Sequence, residues 1–125
     1  MRSRFLTSLQ LVMIEEKKWK LMAPFKYISA ELKQEIVVPQ DFITDFASVP
    51  RLPLAFLLAG DTAHKAAVIH DYLYRCSDVK RGVADSVFLE AMEVSGVPWW
   101  RRWTMYSAVR SFGWSSKKNL IELNP

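Results

Sequence analysis

One imidazole and two carboxylates stand where they could do chemistry together. His70 and Asp71 are adjacent in the run Ala-Ala-Val-Ile-His-Asp-Tyr-Leu-Tyr-Arg at residues 66–75, and Asp85 ends Arg-Gly-Val-Ala-Asp at 81–85. A histidine whose ring is held by an aspartate offers its second nitrogen to a water or another nucleophile as a general base. In that reading His70 is the base, Asp85 fixes its tautomer, and Asp71 with loop oxygens from residues 44–48, Asp45 among them, holds a hard cation such as calcium. The plainer reading uses the same side chains. His70 and Asp85 make a buried structural pair, and Asp71 bonds the preceding loop. The other histidine, His64, falls on the solvent side of the same segment and is incidental.

The elements that must position these groups are helices. Ala63, Ala66, Ala67, His70, Leu73 and Tyr74 recur at helical spacing, which predicts a helix over 63–75 with His70 turned inward. Asp71 lies about 100° further round, at the edge of the packed face. Asp61 and Thr62 are good N-caps for it. Ala84, Asp85, Phe88 and Met92 form a similar stripe on a second helix, 79–94, capped by Ser77 and Asp78 and stopped by Gly96. A short connection makes the two helices antiparallel neighbours. An unpaired buried charge is costly, so His70 and Asp85 on facing stripes should meet. Pro98 opens a third helix, 99–112, with Gly113 as its stop.

Before the helices the pattern is extended. Residues 8–14 and 18–22 partly alternate and read as strands, the second continuing past Pro24 toward Tyr27. Residues 35–38 form a third strand closed by Pro39, with 27–33 as its hairpin connection or a helical turn. Residues 40–51 read as a structured loop, and 54–58 as a short apolar helix ended by Gly60. The expected fold is therefore α+β in one domain: a small N-terminal antiparallel sheet followed by a C-terminal bundle of three main helices. The β part covers about 8–39, the loop and short helix 40–60, and the helices 61–114.

At 125 residues, half of them hydrophobic, the chain is long enough for one core. The lone Cys76 gives no sign of an oxidising compartment. Thr7, Ser8 and Gln10 interrupt the N-terminal apolar character and a charged run at 15–18 ends it, which argues against a signal peptide. The longest apolar run, 52–60, is well short of the roughly 20 residues that span a bilayer, so a soluble chain is expected. The net charge of +4 permits an acidic partner without requiring one.

The charge is unevenly placed. Residues 99–118 carry five basic side chains, no acidic ones and four of the five tryptophans. Trp99, Trp103, Tyr106 and Arg110 share one face of the third helix, while Arg102, Met105, Val109 and Phe112 share another. Aromatics at this spacing serve a core, a membrane or envelope contact, or a protein interface. No nucleic-acid motif accompanies them, so nucleic acid is not an expected partner. The loop stretch from Thr44 to Ser48 reads two ways: Asp45 and Ser48 make local turn bonds, with Phe42 and Phe46 as anchors, or Asp45 contributes to a site beside His70 where Arg51 binds an anionic group.

His-Asp-Tyr followed by a later Asp, with Phe three residues on, resembles the core of the secreted phospholipase A2 family over residues 66–92. The resemblance implies His70 as base, Asp71 as calcium ligand and Asp85 as the residue that orients His70. A longer resemblance runs through Val38-Pro39, Phe42 to Arg51, Ala67 to Tyr74, Arg81, Ala84-Asp85 and Phe88, then Gly96-Val97, Trp100 to Arg102, Met105-Tyr106, Ala108 to Arg110 and Phe112-Gly113. Over about residues 19–114 the chain is similar to a bacteriophage and prophage family known as domain of unknown function 1353. That resemblance implies a virion or tail-assembly accessory protein with other virion proteins as partners. Its location would be the virion, or the host cytoplasm before assembly.

Overall fold

The computed structural model describes residues 2–15, 18–44 and 63–110. The short helix expected at 54–58, the loop residues Asp45, Ser48 and Arg51, the caps Asp61 and Thr62, and Phe112 with Gly113 lie outside them. Six short strands come first: β1 (Arg4–Phe5), β2 (Leu11–Glu15), β3 (Lys18–Leu21), β4 (Phe25–Ser29), β5 (Gln34–Val38) and β6 (Ile43–Thr44). Among the described residues three helices follow: α1 (Ala63–Cys76), α2 (Arg81–Val94) and α3 (Trp99–Ala108). The arrangement is α+β.

The N-terminal half holds two sheets rather than the single one expected. Both are antiparallel and three-stranded, in the orders β1-β4-β5 and β2-β3-β6. The strand expected to run from Lys18 toward Tyr27 is divided at residues 22–24. Met22 makes the last ladder bond, its N–H donating to the Gln10 carbonyl at 2.8 Å. Pro24 has no N–H to continue the ladder and holds its own backbone dihedral fixed. The chain therefore leaves the β2–β3 ladder and enters the other sheet, where Thr7 Oγ1 accepts from the Lys26 N–H at 3.0 Å. The expected connection at 27–33 is shorter than foreseen. Residues 25–29 extend β4, and the hairpin closes over 30–33, with Lys33 at φ 56° and Ser29 Oγ accepting from the Leu32 N–H at 3.1 Å.

Alternation sets the inward face of the first sheet. Phe25 and Tyr27 of β4 and Ile36 and Val38 of β5 are buried, and Phe5 of β1 lies against Phe25 and Tyr27 at ring separations of 5.5 and 4.6 Å. Ala63, Ala66 and Ala67 of α1, also buried, keep that helix slim where other elements approach it. α2 adds Val87, Phe88, Ala91 and Met92, and α3 adds Met105, to the same core. Each large apolar side chain so buried contributes about 1.5–3 kcal/mol. Glu90 fastens α2 to the hairpin: its carboxylate accepts from Tyr27 OH at 2.6 Å and from the Glu31 N–H at 2.9 Å.

The first helix and the end of the second follow the sequence; the second begins at Arg81 rather than 79, and the stop expected for the third at Gly113 lies outside the described residues. Gly96, at φ 85°, ends α2, its N–H donating to the Glu93 carbonyl, and Pro98 leads directly into α3. Ser77 was expected to cap α2. Instead its hydroxyl donates back to the Leu73 carbonyl at 2.7 Å and accepts from the Val79 N–H at 3.2 Å, so it closes the end of α1. The N-cap of α2 is Lys80, with no side-chain bond.

Candidate functional site: a buried histidine–aspartate cluster

His70 and Tyr74 are four residues apart on α1 and so project from the same face. Opposite them, α2 brings Asp85. His70 Nε2 lies 2.7 Å from Asp85 Oδ1, and Tyr74 OH donates to the same oxygen at 2.7 Å. Arg110 completes the carboxylate by donating from Nη1 to Oδ2 at 3.0 Å. The side chains of His70 and Asp85 are both 0% exposed. The imidazole is held between two rings, Tyr74 at 4.3 Å and Phe88 at 4.7 Å between centroids.

Burial alone would push the Asp85 carboxyl up. The hydrogen bonds from His70, Tyr74 and Arg110 outweigh it and hold the group below its ordinary value, ionised at neutral pH. An ionised carboxylate only accepts, so His70 Nε2 carries a hydrogen and Nδ1 faces away from Asp85. Tyr74 is pushed well above its ordinary value by burial, then by its bond to Asp85 and by that residue's negative charge. It remains a neutral donor. Three donors on one carboxylate lock α1, α2 and the residue two positions past the end of α3 to one another.

Asp71 leaves the cluster in another direction. It is buried, and Thr44 Oγ1 of β6 donates to its Oδ2 at 2.6 Å. Arg75, one turn later, grips both oxygens, Nε to Oδ1 at 2.8 Å and Nη2 to Oδ2 at 2.9 Å. The same guanidinium donates to the Ile43 carbonyl and lies 4.8 Å over the Phe42 ring. Asp71 thus ties α1 to β6. A calcium ion takes six to eight oxygens, and both of this carboxylate's oxygens are already engaged. Among the described residues no three His, Cys, Asp or Glu side chains cluster as a metal site. The loop oxygens expected to share such a cation with Asp71, those of Asp45 and Ser48 among them, lie outside the described residues.

The residues expected to share one face of α3, in a core or at an interface, divide. Trp99 and Trp103 are 68% and 49% exposed, Trp100 is exposed beside them, and Trp103 meets Tyr106 edge-on at 5.5 Å. Arg110 was placed on that face but instead turns to Asp85, because a buried carboxylate needs a donor for each oxygen. Its path crosses α2 at Gly82, where an added Cβ would lie 3.3 Å from Arg110 Nη1. Arg102 donates to the Val97 carbonyl at 3.1 Å and so fixes the start of α3. Tyr74 and Arg110 are partners of Asp85 beyond those expected from the sequence. The signals available were the four-residue step from His70 to Tyr74 and the glycine three residues before Asp85.

Fold and cluster together describe a small α+β domain whose buried charges are spent on joining its elements. The chain belongs to the family described as protein of unknown function (DUF1353), whose model matches residues 19–109. No curated protein and no solved structure matches the chain.

Proposed function

We propose that the protein is a protein-binding accessory module of a bacteriophage virion or tail, with the Trp99–Trp103 face of α3 as its docking surface. One observation carries the reading: three neighbouring tryptophans, Trp99, Trp100 and Trp103, are exposed while Met105 on the same helix is buried. Each exposed indole forgoes burial that a partner surface would supply, and tryptophan is prominent among interface hot spots. The surrounding sequence is basic without an acidic residue, so the partner is an apolar surface rimmed by carboxylates. The His70–Asp85 cluster then serves to hold that helix rigidly against the rest. The test is a phage carrying Trp99→Ala with Trp103→Ala. Purified particles are expected to lack the protein or to show incomplete tails. Normal particles that still contain the variant overturn the reading.

A second reading has one observation in its favour. His70 Nε2 is held by an ionised aspartate at 2.7 Å, the arrangement that prepares the other ring nitrogen to act as a base. The reading is a hydrolase of lipid esters or cell-envelope material, with His70 as base and Asp85 as its orienting partner. Substrate would have to open the packing over a ring that is fully buried. Incubating the wild type and His70→Asn with phospholipid vesicles and envelope fragments decides it. Turnover lost in a folded variant supports hydrolysis; no turnover by the wild type ends it.

A further inference from the structure

The β2-β3-β6 sheet has β2 at one edge, hydrogen-bonded on one side alone among the described residues. Its sequence Leu-Val-Met-Ile is that of a strand buried on both faces, yet Val12, Met13 and Ile14 are all exposed, Met13 by 60%. Edge strands are ordinarily protected by charge or proline, and residues 9–14 carry neither. The bond from the Met22 N–H to the Gln10 carbonyl turns Gln10, and by alternation Val12, toward β3. Leu11 and Met13 therefore present their backbone N–H and C=O groups outward.

We infer that β2 pairs antiparallel with β2 of a second copy of this chain, about a two-fold axis at Val12, to make one continuous six-stranded sheet. This register sets Leu11 opposite Met13 of the other copy, a pair that exchanges both backbone bonds, and repeats it across the axis for about four in all. Val12 faces Val12. No charge is opposed by a like charge, because the paired stretch has none. The irregular step in β2 between Met13 and Glu15 lies just outside the paired residues. This self-complementarity selects a second copy over an unrelated strand. Such a pairing buries less than the roughly 1,200 Å² of a standard interface, so the dimer is concentration-dependent. The inference is independent of the tryptophan face.

Sedimentation velocity of the full chain across a concentration series tests it, with Val12→Lys, Val12→Glu and their equimolar mixture. The wild type is expected to pass from monomer to dimer and no further. Each variant, with its circular dichroism unchanged, is expected to dimerise about tenfold more weakly through like charges at the axis. The mixture is expected to regain the dimer, since Lys then faces Glu. Val37→Lys, on the edge strand of the other sheet, is expected to behave as wild type. A wild type that stays monomeric, a dimer indifferent to Val12→Lys, a mixture that fails to regain the dimer, or growth beyond two copies overturns the inference. Should a variant unfold, the wild type decides alone: amide exchange at Leu11 and Met13 must slow as concentration rises.

Discussion

Asp85 is the residue on which most of the interior charge depends. Asp85→Asn keeps the shape but removes the charge facing Arg110 and turns an acceptor oxygen into a donor. A loss of about 2–4 kcal/mol is expected in denaturant unfolding. The pH dependence follows from the direction of the shift. The folded-state value is held below the 3.8 of the unfolded chain, so this contribution is whole above about pH 4 and is lost as pH falls further. The tyrosines act at the other end. Burial raises Tyr27, its Glu90 bond adds to this, and Tyr74 is raised by burial and Asp85. Both contribute stability that is complete below pH 10.0 and is lost as pH rises above it. Thermal unfolding across pH should therefore show a plateau that falls at both ends. A midpoint that does not fall below pH 4 would contradict the role given to Asp85. Gly82 gives a sharper test. Alanine is favoured over glycine in a helix by about 1 kcal/mol, but here its Cβ crowds the Arg110 guanidinium. Gly82→Ala is expected to stabilise by about that amount in an Arg110→Met background and by clearly less in the wild type. Equal effects in both would mean that Arg110 does not depend on the glycine.

At the scale of elements, the helices were legible and the sheets were only partly so. Alanines, His70 and Tyr74 at helical spacing, and the stop and start at Gly96 and Pro98, are local signals, and the chain obeys them. The division into two sheets was not legible. It depends on which ladder β4 joins after Pro24, a choice made by Phe5, Phe25 and Tyr27 packing together, and no local period reports it. The same holds for Glu90. Nothing in its neighbourhood reveals that Tyr27 and the Glu31 amide lie across from it. Glu90→Ala leaves two donors short of an acceptor, and a loss of about 1–3 kcal/mol is expected, with faster amide exchange in the 30–33 turn. Exchange unchanged there would contradict the tie between α2 and the hairpin.

For the molecule as a whole, half of the cluster could be read from the chain and half could not. His70 and Asp85 sit on inward stripes of helices that a short turn makes antiparallel, so their meeting follows from burial and the cost of lone charge. Arg110 arrives from two residues past the end of α3, and only the folded arrangement shows that it turns inward while Trp99 and Trp103 turn out. The charged residues hold the helices together, and the exposed tryptophans are left for the partner proposed above. The measurement that tests this hold most directly is the denaturant unfolding of His70→Asn beside the wild type. The shorter amide falls short of Asp85 Oδ1 and leaves Tyr74 and Arg110 on a carboxylate one donor poorer. A loss of about 2–4 kcal/mol with an unchanged dependence on denaturant is predicted. A variant as stable as the wild type would contradict it and turn attention to His70 as a catalytic base.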